Sequence, residues 1–358
     1  MKRHTILFVE EYGSTEILNN KEFLYIPGIT GNNDADLPMN RQFEYIILEP
    51  ENAKHNDEGK ISSYIFLFHG LNERSWDKYE SWGEALAERT GRAVVMFPLA
   101  LHINRSPSEW SNLRLMKALV TAIINRRKKV NSLSVANAAL STRIKENPLR
   151  FYLSGKQTVY NICQLIDQID KGEHTIIGKG AAFDIFAYSI GAMLSQVMVQ
   201  SNPGNRFSAA KVFLFCGGSL FDYMNGESRL ILDRDSFKVL KRYYRRNFLD
   251  VIRKKSYIDD IDNAFLSLVN VKCCKKERLN FYKHSKSRLR IVSLKKDRVI
   301  PTKGIKKAIG PVWHECLEEL DFNYKYSHEM PFPLNIREKD SREYWFGEVF
   351  KRAAEFLL

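Results

Sequence analysis

Residues 183–192 read FDIFAYSIGA. Phe183 to Tyr188 is a short β-prone run, Ser189-Ile190-Gly191 a turn, and Ala192 to Gln200 a helix-like stretch stopped by Asn202-Pro203. Within it, Ala187-Tyr188-Ser189-Ile190-Gly191 follows the nucleophile-elbow pattern G-x-S-x-G, with alanine where the first glycine usually stands. A sharp strand-to-helix turn brings neighbouring backbone close to the serine, so small residues are needed there, and alanine is small enough. Such a turn lifts the Ser189 hydroxyl above a sheet edge. It also puts the N–H of Ile190 at a helix start, where it can donate to a developing oxyanion. The pentapeptide alone occurs by chance in many chains, and its surroundings decide its meaning.

Outward from this point the chain alternates. Gln42 to Leu48, Ser63 to Phe68, Ala93 to Phe97, Lys211 to Cys216, Leu289 to Leu294 and the neighbourhood of Phe322 to Tyr326 are apolar or aromatic runs of strand length. Between them, Trp76 to Thr90 has helical spacing and a stop at Gly91, and residues 101–155 are helical, with Leu113, Met116, Leu119, Val120, Ile123 and Ile124 as a stripe. Gln157 to Ile169 predicts a further helix, and a long basic region to about residue 287 is mostly helical. A helix is expected between the last two strands. The tail from Arg342 to Leu358 places Trp345, Phe346, Val349, Phe350, Ala353, Phe356 and Leu357 on one face, which should dock on the sheet. Short apolar strands separated by helices predict an α/β fold with a mostly parallel central sheet flanked by helices. Chemistry in such sheets gathers at the carboxyl ends of the strands.

Three segments in that position complement Ser189. After Phe68 comes His69-Gly70-Leu71-Asn72, a turn permitted by Gly70 that can aim the N–H of Leu71 at the oxygen served by Ile190. His69 reads as a packed, hydrogen-bonded ring that holds this turn. After Leu294, Asp297 precedes Val299-Ile300-Pro301 and can orient an imidazolium; the competing role is a cap or a surface partner of Arg298. His328, in Tyr326-Ser327-His328-Glu329-Met330-Pro331, is the candidate base, since imidazole titrates near neutral pH; the bland alternative is an exposed loop histidine. Asp222, after the strand ending at Cys216, is an alternative acid. Cys273, Cys274 and His284 lack metal-site spacing, and Gly178-Lys179-Gly180 lacks the frame of a phosphate loop, so neither a metal nor an organic cofactor is expected.

The 358 residues are 44% hydrophobic and carry 55 Lys plus Arg against 42 Asp plus Glu, a formal charge of +13 that excludes neither an enzyme nor an anion binder. The cations are densest at Arg126 to Lys129, Lys238 to Lys255 and Lys272 to Arg290. In the second stretch Phe237, Leu240, Tyr244, Phe248 and Val251 fall on one helical face, so the favoured reading is a solvated cationic face over a packed stripe. No recognisable nucleic-acid module accompanies it. Ile6 to Val9 is too short for a secretory signal, and no apolar run approaches the roughly 18 to 20 residues that span a bilayer. Five scattered cysteines do not form a disulfide framework, which points to a reducing cytoplasm.

With FLFHGLN at 66–72, FAYSIGA at 186–192, SLKKDRVIP at 293–301 and YSHEMP at 326–331, the chain resembles the α/β-hydrolase superfamily in the order Ser, Asp, His. The resemblance covers about residues 40–100 and 180 to the end. It implies a core in three pieces (1–100, 171–219 with the elbow, and 288–358), a helical insertion at 101–170 and a basic helical lid at 220–287. It further implies a serine hydrolase acting on a small acyl substrate, an ester sooner than an amide, with Ser189, Asp297 and His328 as triad, Leu71 and Ile190 as oxyanion donors, and His69, Gly70 and Gly191 shaping the turns. The basic insertion would suit an anionic substrate. The rival expectation is a non-catalytic member of the fold that binds an anionic polymer or protein through that insertion.

Overall fold

Eight strands form one sheet in the computed structural model, which describes residues 1–11, 34, 37–126 and 130–358. They are β1 (Lys2–Val9), β2 (Gln42–Glu49), β3 (Ile61–Phe68), β4 (Ala93–Met96), β5 (Ile177–Tyr188), β6 (Val212–Phe215), β7 (Leu289–Leu294) and β8 (Leu317–Leu320), in the spatial order β1-β2-β4-β3-β5-β6-β7-β8. β1 pairs antiparallel with β2, and β2 with β4; the other neighbours are parallel. This is the mostly parallel, helix-flanked sheet that the alternation predicts.

Each central strand is apolar on both sides because both faces are covered. Phe66 and Phe68 point into the layer with helices Arg150–Lys171 and Ile190–Ser201, while Ile65 and Leu67 join Trp82, Val349 and Phe350 from helices Asp77–Thr90 and Lys339–Leu357. The tail docks as expected. Helix Arg150–Lys171 lies on β5, so part of the stretch expected as insertion flanks the sheet. No helix among the described residues is long and apolar enough to cross a membrane.

Several boundaries differ from expectation for physical reasons. β1 was not anticipated; its outer face leaves Leu7 and Val9 exposed at the sheet edge. β5 starts six residues before Phe183, because a bulge between its Ile177 and Ala182 pairings absorbs Gly178-Lys179-Gly180, with Gly180 at φ +71°. Phe322 to Tyr326 is no strand: the ladder ends at Leu320, yet Phe322, Tyr324, Tyr326 and His328 are buried while the residues between them are exposed. The period of two there records side chains inserted alternately into an aromatic cluster.

The helical regions also depart in detail. In helix Leu113–Arg126 only Met116 and Leu119 are buried, and Leu113 and Ile124 are 56% and 51% exposed. The basic helix ends at Arg246; a second one, Phe248–Arg253, begins after Asn247 and turns Ile252 inward where Val251 was expected. Lys238, Arg242, Arg245 and Arg246 face solvent. Of the cluster Arg126 to Lys129, residues 127–129 lie outside the described residues.

The basic region is tied to the core by a buried ionic cluster. Lys156 Nζ, on the helix over β5, lies 2.7 Å from Asp262 Oδ1 and 2.5 Å from Asp259 Oδ2, and Tyr152 and Lys255 also donate to Asp262. Burial pulls the Asp262 pKa upward, but these donors win and hold its carboxyl below the usual range. Asp262→Ala leaves the buried Lys156 ammonium half-paired, an expected cost of about 3–5 kcal/mol. Urea unfolding measures it, and a loss below about 1 kcal/mol would mean that the cluster contributes little.

Candidate active site

Ser189 sits between β5 and helix Ile190–Ser201 with φ +57° and ψ −116°. A non-glycine residue there is strained, and the surrounding contacts must over-determine it. Its N–H donates to the carbonyl of Phe215 at 3.2 Å. Two residues on, Gly191 lies against the end of β3, where a Cβ would stand 2.7 Å from the carbonyl oxygen of Phe68 and 2.8 Å from that of His69. The Gly191 N–H instead donates to the His69 carbonyl at 3.1 Å. Ala187 is fully buried in β5.

The three polar side chains expected to meet are brought together. Ser189 Oγ is 2.7 Å from His328 Nε2, and His328 Nδ1 is 2.7 Å from Asp297 Oδ2. The other Asp297 oxygen accepts from the N–H groups of Val299 and Ile300, each at 2.8 Å. A carboxylate held by two amides and a ring nitrogen is fixed in its direction. All three residues are buried. Asp222 is elsewhere, paired with Arg245.

The turn after β3 approaches the same place. Gly70 lies under the Tyr188 ring and donates its N–H to Tyr79 Oη at 2.9 Å. His69 is buried, with Nδ1 donating to the Gly70 carbonyl at 2.8 Å and Nε2 accepting from the N–H of Leu99 at 3.0 Å. Its ring therefore braces the turn and is committed on both nitrogens. The N–H groups of Leu71 and Ile190 have no acceptor among the described residues. Gly70, Leu71, Ser189 and His328 line a cleft of about 480 Å³; the Ile190 side chain faces a neighbouring apolar cavity of about 40 Å³.

Other contributors carry no motif of their own. Tyr188 stacks on the His328 ring, centroids 5.4 Å apart, and its hydroxyl donates to the His328 carbonyl. Tyr326 Oη accepts from the N–H of Lys296 at 3.1 Å, joining the His328 loop to the Asp297 loop. Asn72 donates to the carbonyls of Ala136 and Leu230, which clamps two covering loops onto the turn. Position beside the serine is the only signal that could have drawn attention to Tyr188. Among the described residues, no three His, Cys, Asp or Glu side chains gather as a metal site.

A family model described as a family of unknown function, DUF6051, matches residues 10–358. The chain belongs to that family. No curated protein matches this member in sequence. Solved structures similar to it include carboxyl esterase 2 from the mycorrhizal fungus Tuber melanosporum, at 10% identity and TM-score 0.47, covering 100% of this chain and 88% of that one. A hyperthermophilic esterase from the archaeon Pyrobaculum calidifontis is 13% identical with TM-score 0.44, covering 99% and 84%. The esterase domain of a Rhodothermus marinus protein is 9% identical with TM-score 0.43, covering 99% of both chains.

Two outcomes follow from the local physics. Gly191→Ala forces a methyl group into two carbonyls, with an expected loss of at least about 2 kcal/mol in urea unfolding; a variant as stable as the parent would show that the elbow can shift. The second concerns acid. Burial pulls His69 and His102 down to about 3 and His174 to about 4, from an ordinary 6.5. Between those values the unfolded chain binds more protons than the folded one. Stability is therefore full above about pH 6.5 and falls as pH drops through that window, by up to about 1.4 kcal/mol per pH unit for each ring. A urea midpoint that stays constant from about pH 7.5 to about pH 5 would contradict this.

Proposed function

We propose that this chain is a serine hydrolase that cleaves a carboxylic ester or related acyl bond through an acyl-enzyme. The observation that carries the reading is the unbroken hydrogen-bonded series from Ser189 through His328 to Asp297 at the floor of a cleft. Ser189 Oγ attacks the acyl carbonyl as His328 Nε2 takes its proton. The alcohol departs with that proton, leaving the acyl group on Ser189. Water, deprotonated by the same nitrogen, then attacks the ester and releases the carboxylic acid. Asp297 holds Nδ1–H and steadies the ring as it carries the serine proton, and the free N–H groups of Leu71 and Ile190 receive the oxyanion.

Parts of the stretches 101–170 and 220–287 serve as the cover of this cleft. Trp110, Met116 and Val135 line it from the first, and Leu230 and Ile231 from the second. Those apolar walls shield the acyl-transfer site from water and leave room for a small acyl substrate.

A serine-directed fluorophosphonate probe tests the assignment. Labelling is expected in the parent and absent in Ser189→Ala. Asp297→Asn should retain the fold while lowering ester turnover on the order of 10³–10⁴-fold, because the imidazole loses the partner that sets its tautomer. No labelling of the folded parent, together with salt-sensitive binding of a nucleic acid, would replace the enzyme reading with that of an anion-binding member of the fold.

A further inference from the structure

Five charged side chains line the cleft beside Ser189 and His328: Glu73, Arg74, Asp77, Lys78 and Glu329. Four are accounted for locally. Glu73 and Lys78 neutralise each other at 2.5 Å, and Glu329 accepts from the Ser228 hydroxyl. Asp77 is exposed at the start of helix Asp77–Thr90, where water screens it. Arg74 is different. Its protein acceptor among the described residues is a neutral amide oxygen, Asn72 Oδ1 at 2.9 Å from Nη2, and its Nε is buried with no partner.

A second guanidinium shares the aromatic ring at that end of the cleft. Arg74 and Arg143 stand 5.4 and 4.2 Å from the Trp110 ring. Behind them Arg143 pairs with Asp34, and Arg150 lies 3.4 Å from Asp34 and 3.8 Å from Glu146. Among the described residues, Arg74 on the cleft wall is the one of these three guanidinium groups that has no carboxylate partner. Burial and the nearby Arg143 lower its pKa to about 10, which leaves it charged at neutral pH.

We propose that Arg74 binds an anionic group of the substrate, so that the ester cleaved at Ser189 carries a carboxylate or comparable anion. This rests on the serine-hydrolase reading and adds its substrate class. A guanidinium already desolvated and held over an aromatic ring loses little further hydration or freedom when it takes a carboxylate, which favours charged substrates over neutral ones of equal shape.

Paired esters test it. On the acyl side, the mono-4-nitrophenyl ester of adipic acid is compared with that of adipic acid monoamide; on the alcohol side, 4-carboxyphenyl butyrate with 4-carbamoylphenyl butyrate. At least one carboxylate is expected to exceed its carboxamide partner about tenfold in kcat/KM, the ratio shrinking as salt rises. Arg74→Gln should bring that ratio to about one, and Arg74→Lys should retain part of it. Ratios of one or less in both pairs, with fluorophosphonate still labelling Ser189, overturn the anionic-substrate proposal and leave the hydrolase standing. A folded parent that neither labels nor turns over any of the four esters removes both. The parent's own ratios decide the matter even where the Arg74 variants fail to fold.

Discussion

The absence of a side chain at position 191 is the constraint on which the site depends. Because Gly191 can lie directly against the carbonyls of Phe68 and His69, the helix after Ser189 starts in contact with the end of β3. That contact sets Ser189 in its left-handed conformation and leaves two amide N–H groups, from Leu71 and Ile190, unused near the same serine. Strain at one residue is held by many ordinary contacts: the Phe215 carbonyl behind it, the Tyr188 ring against Gly70 and the apolar layers on both faces.

The polar groups are then arranged by loops that brace one another. The chain from 321 to 332 carries no ladder bonds, yet Tyr324 Oη donates to the Pro331 carbonyl at 2.9 Å and Tyr326 reaches both Lys296 and Asp321. Its inward aromatic residues share a phase with His328, so packing the aromatic side chains also buries the imidazole. Asn72 and Asn137 donate to the carbonyls of Leu230 and Ser228, linking the turn after β3 and the loop before helix Ala138–Glu146 to the basic segment. The cover of the cleft is therefore joined by hydrogen bonds to the turn that bears Leu71, and motion of one would be felt by the other.

Much of this was legible in advance. The strands β3, β4, β6 and β7 are continuous apolar runs because both faces of a parallel sheet are buried, and such runs stand out in any chain. Ser189, Gly191, Gly70, Asp297 and His328 each follow a strand or a strand-like run, which is where the α/β architecture gathers polar groups. β1 was missed because apolar Leu7 and Val9 on its solvent face break the alternation expected of a half-buried strand, and its pairing partner lies about 40 residues away. Arg74 was missed because an unpaired guanidinium is a property of what surrounds it.

The amino-acid order by itself determined the centre of the sheet: that β2, β3, β4, β6 and β7 are strands, that the C-terminal stripe is buried, and where the chain must turn sharply, since these follow from local periodicity and from small residues at fixed positions. Only the tertiary structure decided the pairings. Asp297, and not Asp222, reaches His328, because the Asp297 loop follows β7 while Arg245 claims Asp222. Contacts between residues 31 or 139 positions apart depend on how strands are ordered across a sheet, and local sequence carries no record of that distance.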